Sequence, residues 1–260
     1  MEYDDCYQKV TEPKYECLLF DVDDTLYALS SGISAQCTKN IREYMIEKLG
    51  IEEDKVPVMC AQLYKEYGTT MAGLKAIGYD FDNDDYHSFV HGRLPYEWLK
   101  IDHTLKNLLH SLPIRKVIFS NGNEAHVAKV LSRLGLEDCF DDIICFETLN
   151  PTKKDDEEAE NELPNTPIIC KPFENAFEQA FKIAQINPKK TLFFDDSIRN
   201  LQNAKRIGLQ TVWIGSSHKT DGVDYSLESI HNIREALPEL WEAVEKPEVQ
   251  YSGIETYVRA

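Results

Sequence analysis

The sequence predicts an α/β fold, a doubly wound parallel sheet with a block of helices inserted after its first strand. Three observations predict it. Short, almost wholly apolar runs recur at 18–20, 117–119, 143–146, 191–194 and 210–214, too short for surface helices and solid enough for strands buried on both faces. From 116 to 214 these runs alternate with segments of helical periodicity, the pattern of strand–helix–strand units. Between 27 and 114 the periodicity is helical alone. The expected division is a core of 14–26 and 115–240, an inserted block of 27–114, and tails at 1–13 and 241–260.

Each element has its own reason. Leu18-Leu19-Phe20 is a buried strand that ends in Asp21-Val22-Asp23-Asp24-Thr25. In the inserted block, Ile33, Cys37, Ile41, Tyr44, Met45 and Leu49 fall at helical spacing, and Gly50 is a plausible stop. Further helices are expected at 58–67, ended by Gly68-Thr69-Thr70, at 71–77, closed by Gly78, at 84–92 and at 99–112. Val117-Ile118-Phe119 then runs into the turn residues Ser120-Asn121-Gly122-Asn123, and a helix with Val127, Val130, Leu131 and Leu134 stops at Gly135. Residues 151–166 are acidic and poor in apolar side chains, the composition of a mobile loop that tolerates replacement. Ile168-Ile169-Cys170 is read as a further short strand, leading into Lys171. Phe173, Ala176, Phe177, Ala180, Phe181 and Ala184 give a periodic helix, and the run at 191–194 ends in Asp195-Asp196-Ser197. Ser197 is placed as the N-cap of a helix through Ile198, Leu201, Ala204 and Ile207. The run at 210–214 is the last strand read.

Composition narrows the function. Lys plus Arg number 28 against 45 Asp plus Glu, a net charge of −17. Such a chain repels polymeric nucleic acid and anionic membranes, so an anionic substrate needs a local reversal of potential. Seven cysteines without CxxC spacing, and no leader-like or membrane-length apolar run, point to reduced thiols in an intracellular setting, cytoplasmic or also nuclear.

The polar residues sit where ligands bind in open parallel sheets, beyond the carboxyl ends of the strands. In extended chain Asp21 and Asp23 share a face, and paired carboxylates repel unless a cation lies between them. Mg²⁺, a hard ion that prefers oxygen ligands, suits them. Each remaining piece has a plain reading alone: Ser120-Asn121 as a turn, Lys171 as a solvated charge, Asp195-Asp196 as company for a helix N-terminus. Together they supply a nucleophile, an acid/base, a hydroxyl and amide for phosphoryl oxygens, a cation and a second metal-binding carboxylate.

In that order they resemble the four motifs of the haloacid dehalogenase superfamily, whose Rossmann-like core often carries a helical cap inserted after the first motif. Asp-Val-Asp-Asp-Thr-Leu-Tyr from 21, Tyr-Gly-Thr-Thr-Met-Ala-Gly-Leu from 67, His-Gly-Arg-Leu-Pro-Tyr from 91 and Phe-Phe-Asp-Asp-Ser-Ile-Arg-Asn from 193 are closer still to its pyrimidine 5′-nucleotidase branch. The resemblance implies Asp21 as nucleophile, Asp23 as acid/base, and Ser120, Asn121 and Lys171 at the phosphoryl group. It implies Mg²⁺ held by Asp21, the Asp23 backbone carbonyl and Asp196, with Asp195 further out. The expected activity is Mg²⁺-dependent hydrolysis of a small phosphorylated metabolite, a nucleoside 5′-monophosphate, by a monomer or homodimer. The rivals are a phosphatase for sugar phosphates, pyrophosphate or other small phosphoesters, and a regulatory binding protein on the same scaffold. Discrimination among leaving groups is expected from the inserted block, with Tyr67, Thr70 and Arg93 as candidate contacts.

Overall fold

The structure, a computed structural model, describes residues 13–151 and 168–242. Nearly all of the expected acidic loop and of both tails lies outside those residues. Six strands form one sheet in which every neighbouring pair is parallel: β1 (Cys17–Phe20), β2 (Arg115–Phe119), β3 (Asp142–Ile144), β4 (Thr191–Asp195), β5 (Gln210–Ile214) and β6 (Tyr225–Leu227). Their order is β3-β2-β1-β4-β5-β6. The chain winds outward from β1 to one side and then from β4 to the other, so β1 marks the point where strand order reverses. Register sets Leu19 opposite both Val117 and Phe193.

The helices are α1 (Ile33–Glu47), α2 (Val56–Tyr67), α3 (Thr70–Ala76), α4 (Asn83–Val90), α5 (His103–Ser111), α6 (Glu124–Leu134), α7 (Phe146–Leu149), α8 (Glu174–Ile183), α9 (Ile198–Arg206) and α10 (Ile233–Ala236). Strand side chains alternate faces, and β1 divides accordingly. Leu18 and Phe20 join α5, α6 and α10 in one apolar cluster. Cys17 and Leu19 join α8 and α9 in another. Phe20 stacks on Phe194 at 4.6 Å and 8°, worth about 0.5–1.5 kcal/mol beyond burial. A third cluster unites α1 to α4 with Phe146, Ile168 and Cys170.

Five differences from the sequence reading have local causes. The run at 143–146 is strand only to Ile144, because the Cys145 amide donates to the Thr148 hydroxyl and Phe146 begins the turn α7. Ile168 to Cys170 form no strand; the Ile169 amide and carbonyl are both bonded by the Asn150 side chain. The helix expected at 99–112 starts only at His103, where Asp102 accepts the Leu105 amide as its cap. That helix, within the expected inserted block, puts Leu105 and Leu109 in the same apolar cluster as β1, β2 and α6 and outside the one that unites α1 to α4. The sixth strand, β6, is three residues long and half exposed, too little apolar pattern to read.

Candidate active site at the carboxyl ends of the central strands

The site forms where β1, β2 and β4 end side by side. Just past β1 the chain turns sharply: the Leu26 amide bonds to the Val22 carbonyl at 3.0 Å, with Asp24 in the left-handed region at φ +55. That turn buries Val22 and leaves Asp21 and Asp23 on the wall of a cavity of about 440 Å³. The shared face expected from extended geometry is therefore realised through a turn.

Lys171 is the centre of charge. It is 1% exposed, and its ammonium bonds to Asp21 Oδ1 at 2.7 Å, Asp195 Oδ2 at 2.9 Å and the Phe119 carbonyl at 2.7 Å. Three acceptors satisfy its three donors. Burial works against the charge, but Asp195 and Asp21 hold its pKa above the ordinary lysine range. The turn residue Asn121 aims it: its side-chain carbonyl accepts the Lys171 amide at 2.8 Å and its amide donates to the Lys171 carbonyl at 3.1 Å. Both ends of the Asn121 side chain are thus committed to Lys171, while the residue itself lines the cavity. Ser120, fully buried, accepts the Gly122 amide at 2.9 Å, which leaves its hydroxyl proton to give.

The acidic cluster fits a cation. Oxygens of Asp21, Asp195 and Asp196 lie within 4.8 Å of one another. Burial, then the neighbouring Asp195 and Asp21 charges, push Asp196 up to about 9; burial pushes Asp21 up to about 7 against the pull of Lys171. Such groups gain from a bound cation that offsets their repulsion. Asp195 is inside the protein and saturated: it accepts from Lys171, from the Ser197 amide at 2.8 Å and from Asn200. Ser197, at the N-cap of α9, makes no side-chain cap. Asp196 is half-buried and lines the cavity.

Asp23 is held differently. Its Oδ1 accepts the Tyr27 hydroxyl at 2.5 Å and stands 2.7 Å from His126 Nε2. Burial alone would raise its pKa, yet His126 and Tyr27 hold it well below the ordinary carboxylate range. Neither partner was singled out by the sequence reading. A signal existed for Tyr27, four residues beyond Asp23 in a tight turn; none existed for His126, 103 positions away.

The inserted helices roof the cavity. Ile33, Ile41, Met71, Tyr86 and Phe146 give it apolar walls, with Ser34, Thr38 and Arg42 spaced along α1. Of the three substrate contacts expected there, Thr70 lines the wall but gives its hydroxyl to the Cys60 carbonyl at 3.3 Å. Arg93 is a correction: its guanidinium pairs with Glu43 at 2.7 Å and packs over the Phe89 ring, and it is not among the residues lining the cavity. Tyr67 is another: it too is absent from the lining, and its carbonyl accepts the Cys170 thiol. The Tyr67-Gly68-Thr69-Thr70 break instead joins roof to floor. Arg199 of α9 donates to the carbonyls of Tyr64 and Lys65, bonding the last turn of α2. Gly68, at φ +83, sits so close to Lys171 that a Cβ there would lie 2.6 Å from the Lys171 carbonyl.

Comparison with known proteins agrees with this architecture. A family model described as haloacid dehalogenase-like hydrolase matches residues 15–208. Phosphate metabolism protein 8 of Saccharomyces cerevisiae is 25% identical over 228 residues, 84% of this chain; the match spans 66% of that relative, just under two thirds of its length. Among solved structures, CbbY from Rhodobacter sphaeroides, determined with phosphate, is similar with a TM-score of 0.57 at 16% identity, over 87% of this chain and 99% of its own. The HAD-hydrolase YfnB from Bacillus subtilis, bound to magnesium, is similar with a TM-score of 0.52 at 20% identity, over 85% of this chain and 97% of its own. At these identities the two structures speak for the fold.

Proposed function

The chain belongs to the haloacid dehalogenase-like hydrolase family, and from that premise we propose that it is a Mg²⁺-dependent phosphomonoesterase acting on nucleoside 5′-monophosphates. One observation carries the reading: Asp21, with Lys171 bonded to it and Asp23 beside it, opens on a cavity roofed by apolar helices. Asp21 attacks phosphorus and forms an aspartyl-phosphate, which divides the displacement into two easier steps. Asp23, ionised in the free chain, takes up a proton as the anionic phosphoryl group binds beside it, gives it to the leaving oxygen and later takes one from the attacking water. Lys171 and the Ser120 hydroxyl offset the charge that spreads over the phosphoryl oxygens. Asp21, Asp196 and the Asp23 backbone carbonyl would hold Mg²⁺, with Asp195 behind them, and the ion would add positive charge at the phosphoryl group. These cations supply the local field that a −17 chain otherwise lacks.

The helices α1 to α4 serve as the cap. Their mainly apolar wall suits the flat face of a base better than a polyhydroxylated sugar, which favours nucleotides over sugar phosphates. The substrate is a small metabolite, not a polymer or a membrane component, and the protein is assigned to the cytoplasm. No helix among the described residues is long and apolar enough to cross a membrane. The test is phosphate release with Mg²⁺ from a panel of nucleotides and sugar phosphates. Nucleoside monophosphates should lead by at least about tenfold in kcat/KM, roughly 1.4 kcal/mol of discrimination. A panel led by sugar phosphates would overturn the nucleotide assignment, and no release from any member would overturn the phosphatase.

A further inference from the structure

Asp23 has company that its own chemistry does not require. Both of its partners, the Tyr27 hydroxyl and His126 Nε2, converge on Oδ1. Among the described residues Oδ2 accepts no hydrogen bond, and the side chain lines the cavity. One carboxyl oxygen is anchored and the other left for the reacting groups.

His126 is itself fixed, and hydrogen counting shows how. Tyr96 has one hydroxyl proton and gives it to the His91 carbonyl at 3.0 Å. At 2.9 Å from His126 Nδ1 the same hydroxyl can then only accept, so Nδ1 carries a hydrogen and Nε2 is the atom turned to Asp23. The ring lies on His91, with centroids 4.6 Å apart and planes at 27°. His91 is held by Asn123 Oδ1 at 2.7 Å and lies on His87 at 5.3 Å and 22°. His87 meets Phe146 edge-on at 4.5 Å. Burial pushes His87 down to about 4 and His91 to about 3, so the two lower rings are neutral packing surfaces. On the other side Gly122 makes room: a Cβ there would come within 2.8 Å of His126 Cδ2. The stacked ring of His87 shows the contrast, with neither nitrogen hydrogen-bonded among the described residues, whereas His126 is fixed at both nitrogens with a glycine clearing its edge.

We propose that His126 is the positioning residue of Asp23, holding Oδ1 so that Oδ2 meets the leaving-group oxygen; this rests on Asp23 being the acid/base. In the first step the Asp21–phosphorus bond forms, the bond from phosphorus to the leaving oxygen breaks, and Oδ2 gives that oxygen the proton it took up when the anionic substrate bound. In the second, water oxygen bonds to phosphorus, the Asp21–phosphorus bond breaks, and Oδ2 takes the water proton. His126 exchanges no atom with the substrate and sets the aim of the carboxyl.

The experiment compares two substrates of nearly one shape in the full chain with Mg²⁺. Phenyl phosphate has a poor leaving group that needs an acid, and p-nitrophenyl phosphate a good one that does not. Single-turnover phosphoryl transfer is measured for wild type, His126→Ala, His126→Gln, Asp23→Asn and the double variant Asp23→Asn/His126→Ala. His126→Ala should slow phenyl phosphate roughly 30- to 100-fold and p-nitrophenyl phosphate under about fivefold, a partial loss set against the roughly 10²–10⁴-fold of general acid catalysis. Gln, whose side-chain amide can reach the Nε2 position, should restore most of the loss. The double variant should be no slower than Asp23→Asn, as two members of one unit behave. Equal slowing on both substrates by His126→Ala, while Asp23→Asn discriminates between them, would overturn the positioning role. If Asp23→Asn itself fails to discriminate, the acid/base reading falls and takes this proposal with it. Should His126→Ala lose its thermal unfolding transition, Tyr96→Phe carries the test: about three- to tenfold slowing on phenyl phosphate alone supports the role, and parallel or absent slowing overturns it.

Discussion

The floor and the roof of the cavity are built on opposite terms. On the floor almost every polar atom is committed: Lys171 to three acceptors, Asp195 to Lys171, Ser197 and Asn200, Asn121 to both ends of the Lys171 peptide. On the roof, apolar side chains of α1 to α4 such as Ile33, Ile41, Met71 and Val90 alternate along the cavity with polar ones such as Ser34, Thr38 and Arg42. A saturated floor leaves no freedom to adapt, so it suits one group met in one orientation, such as a phosphoryl. The roof makes no such demand, and under the proposed function it is the part that would set which leaving group is accommodated. Changes to the floor should therefore cost rate whatever the substrate, and changes to the roof should cost selectivity.

The sharpest break with that contrast would come from the nucleophile. Asp21→Asn keeps the shape of the side chain and removes the attacking oxyanion, so turnover should vanish on every substrate while the far-ultraviolet dichroism spectrum stays unchanged. Retention of more than about 5% of wild-type rate would mean that another group attacks, because loss of a nucleophile is expected to cost orders of magnitude.

Next in size is the lysine. Lys171→Met leaves Asp21 and Asp195 buried, close together and without their cation. Breaking a buried ion pair in this way costs about 3–5 kcal/mol, and urea unfolding in EDTA should show a loss of that order. Activity should fall equally for nucleotides and p-nitrophenyl phosphate. A loss confined to nucleotides would place Lys171 with the roof.

Much of the floor was legible in the sequence because it hangs on strand ends. A solid apolar run followed by carboxylates announces both the strand and its ligand end, which is how Asp21, Ser120 and Asp195 could be placed before any fold was known. Lys171 is reached through an expected strand that does not form, and its position depends on Asn121. What could not be read is what arrives from a distance: His126 on Asp23, Arg199 on the last turn of α2, and α5 in the cluster of β1. None of these contacts leaves a periodicity or a local turn signal. The roof fared worst for the same reason. A Gly-punctuated break looked like a mouth and is a joint, and an arginine that looked like a contact is paired on the surface.

Metal and pH test the electrostatics of the floor. Asp21 and Asp196 have pKa values raised to about 7 and about 9 in the folded, metal-free chain, against an ordinary value near 3.8. A raised pKa means the folded state binds more protons than the unfolded one, so this contribution favours folding at low pH. It is lost as pH rises through the folded values. A cation competes with those protons and replaces them. In EDTA, Tm should therefore fall between about pH 6 and pH 9, and the rise in Tm on adding millimolar Mg²⁺ should be larger at pH 8.5 than at pH 6. The same rise at both pH values would mean that binding does not draw on these two carboxylates.

The smallest effects belong to the roof, and they separate two arginines. Arg42 lines the cavity one helical turn beyond Thr38 and two beyond Ser34, so all three lie on one side of α1. Arg93 is 45% exposed on its side chain and pairs with Glu43 away from the cavity. A surface pair of that kind is worth about 0–1 kcal/mol. Arg93→Ala should accordingly shift Tm by no more than a few degrees and leave KM for nucleotides unchanged. Arg42→Ala removes a cation that the acidic surface does not replace. It should raise KM for nucleoside monophosphates about three- to tenfold, since a charged hydrogen bond contributes about 1.5–3 kcal/mol before solvent exposure reduces it. Hydrolysis of p-nitrophenyl phosphate, too small to span the roof, should hardly change. A KM effect at Arg93 and none at Arg42 would reverse the roles, and would mean that substrates enter over the Phe89 side of the cap and not along α1.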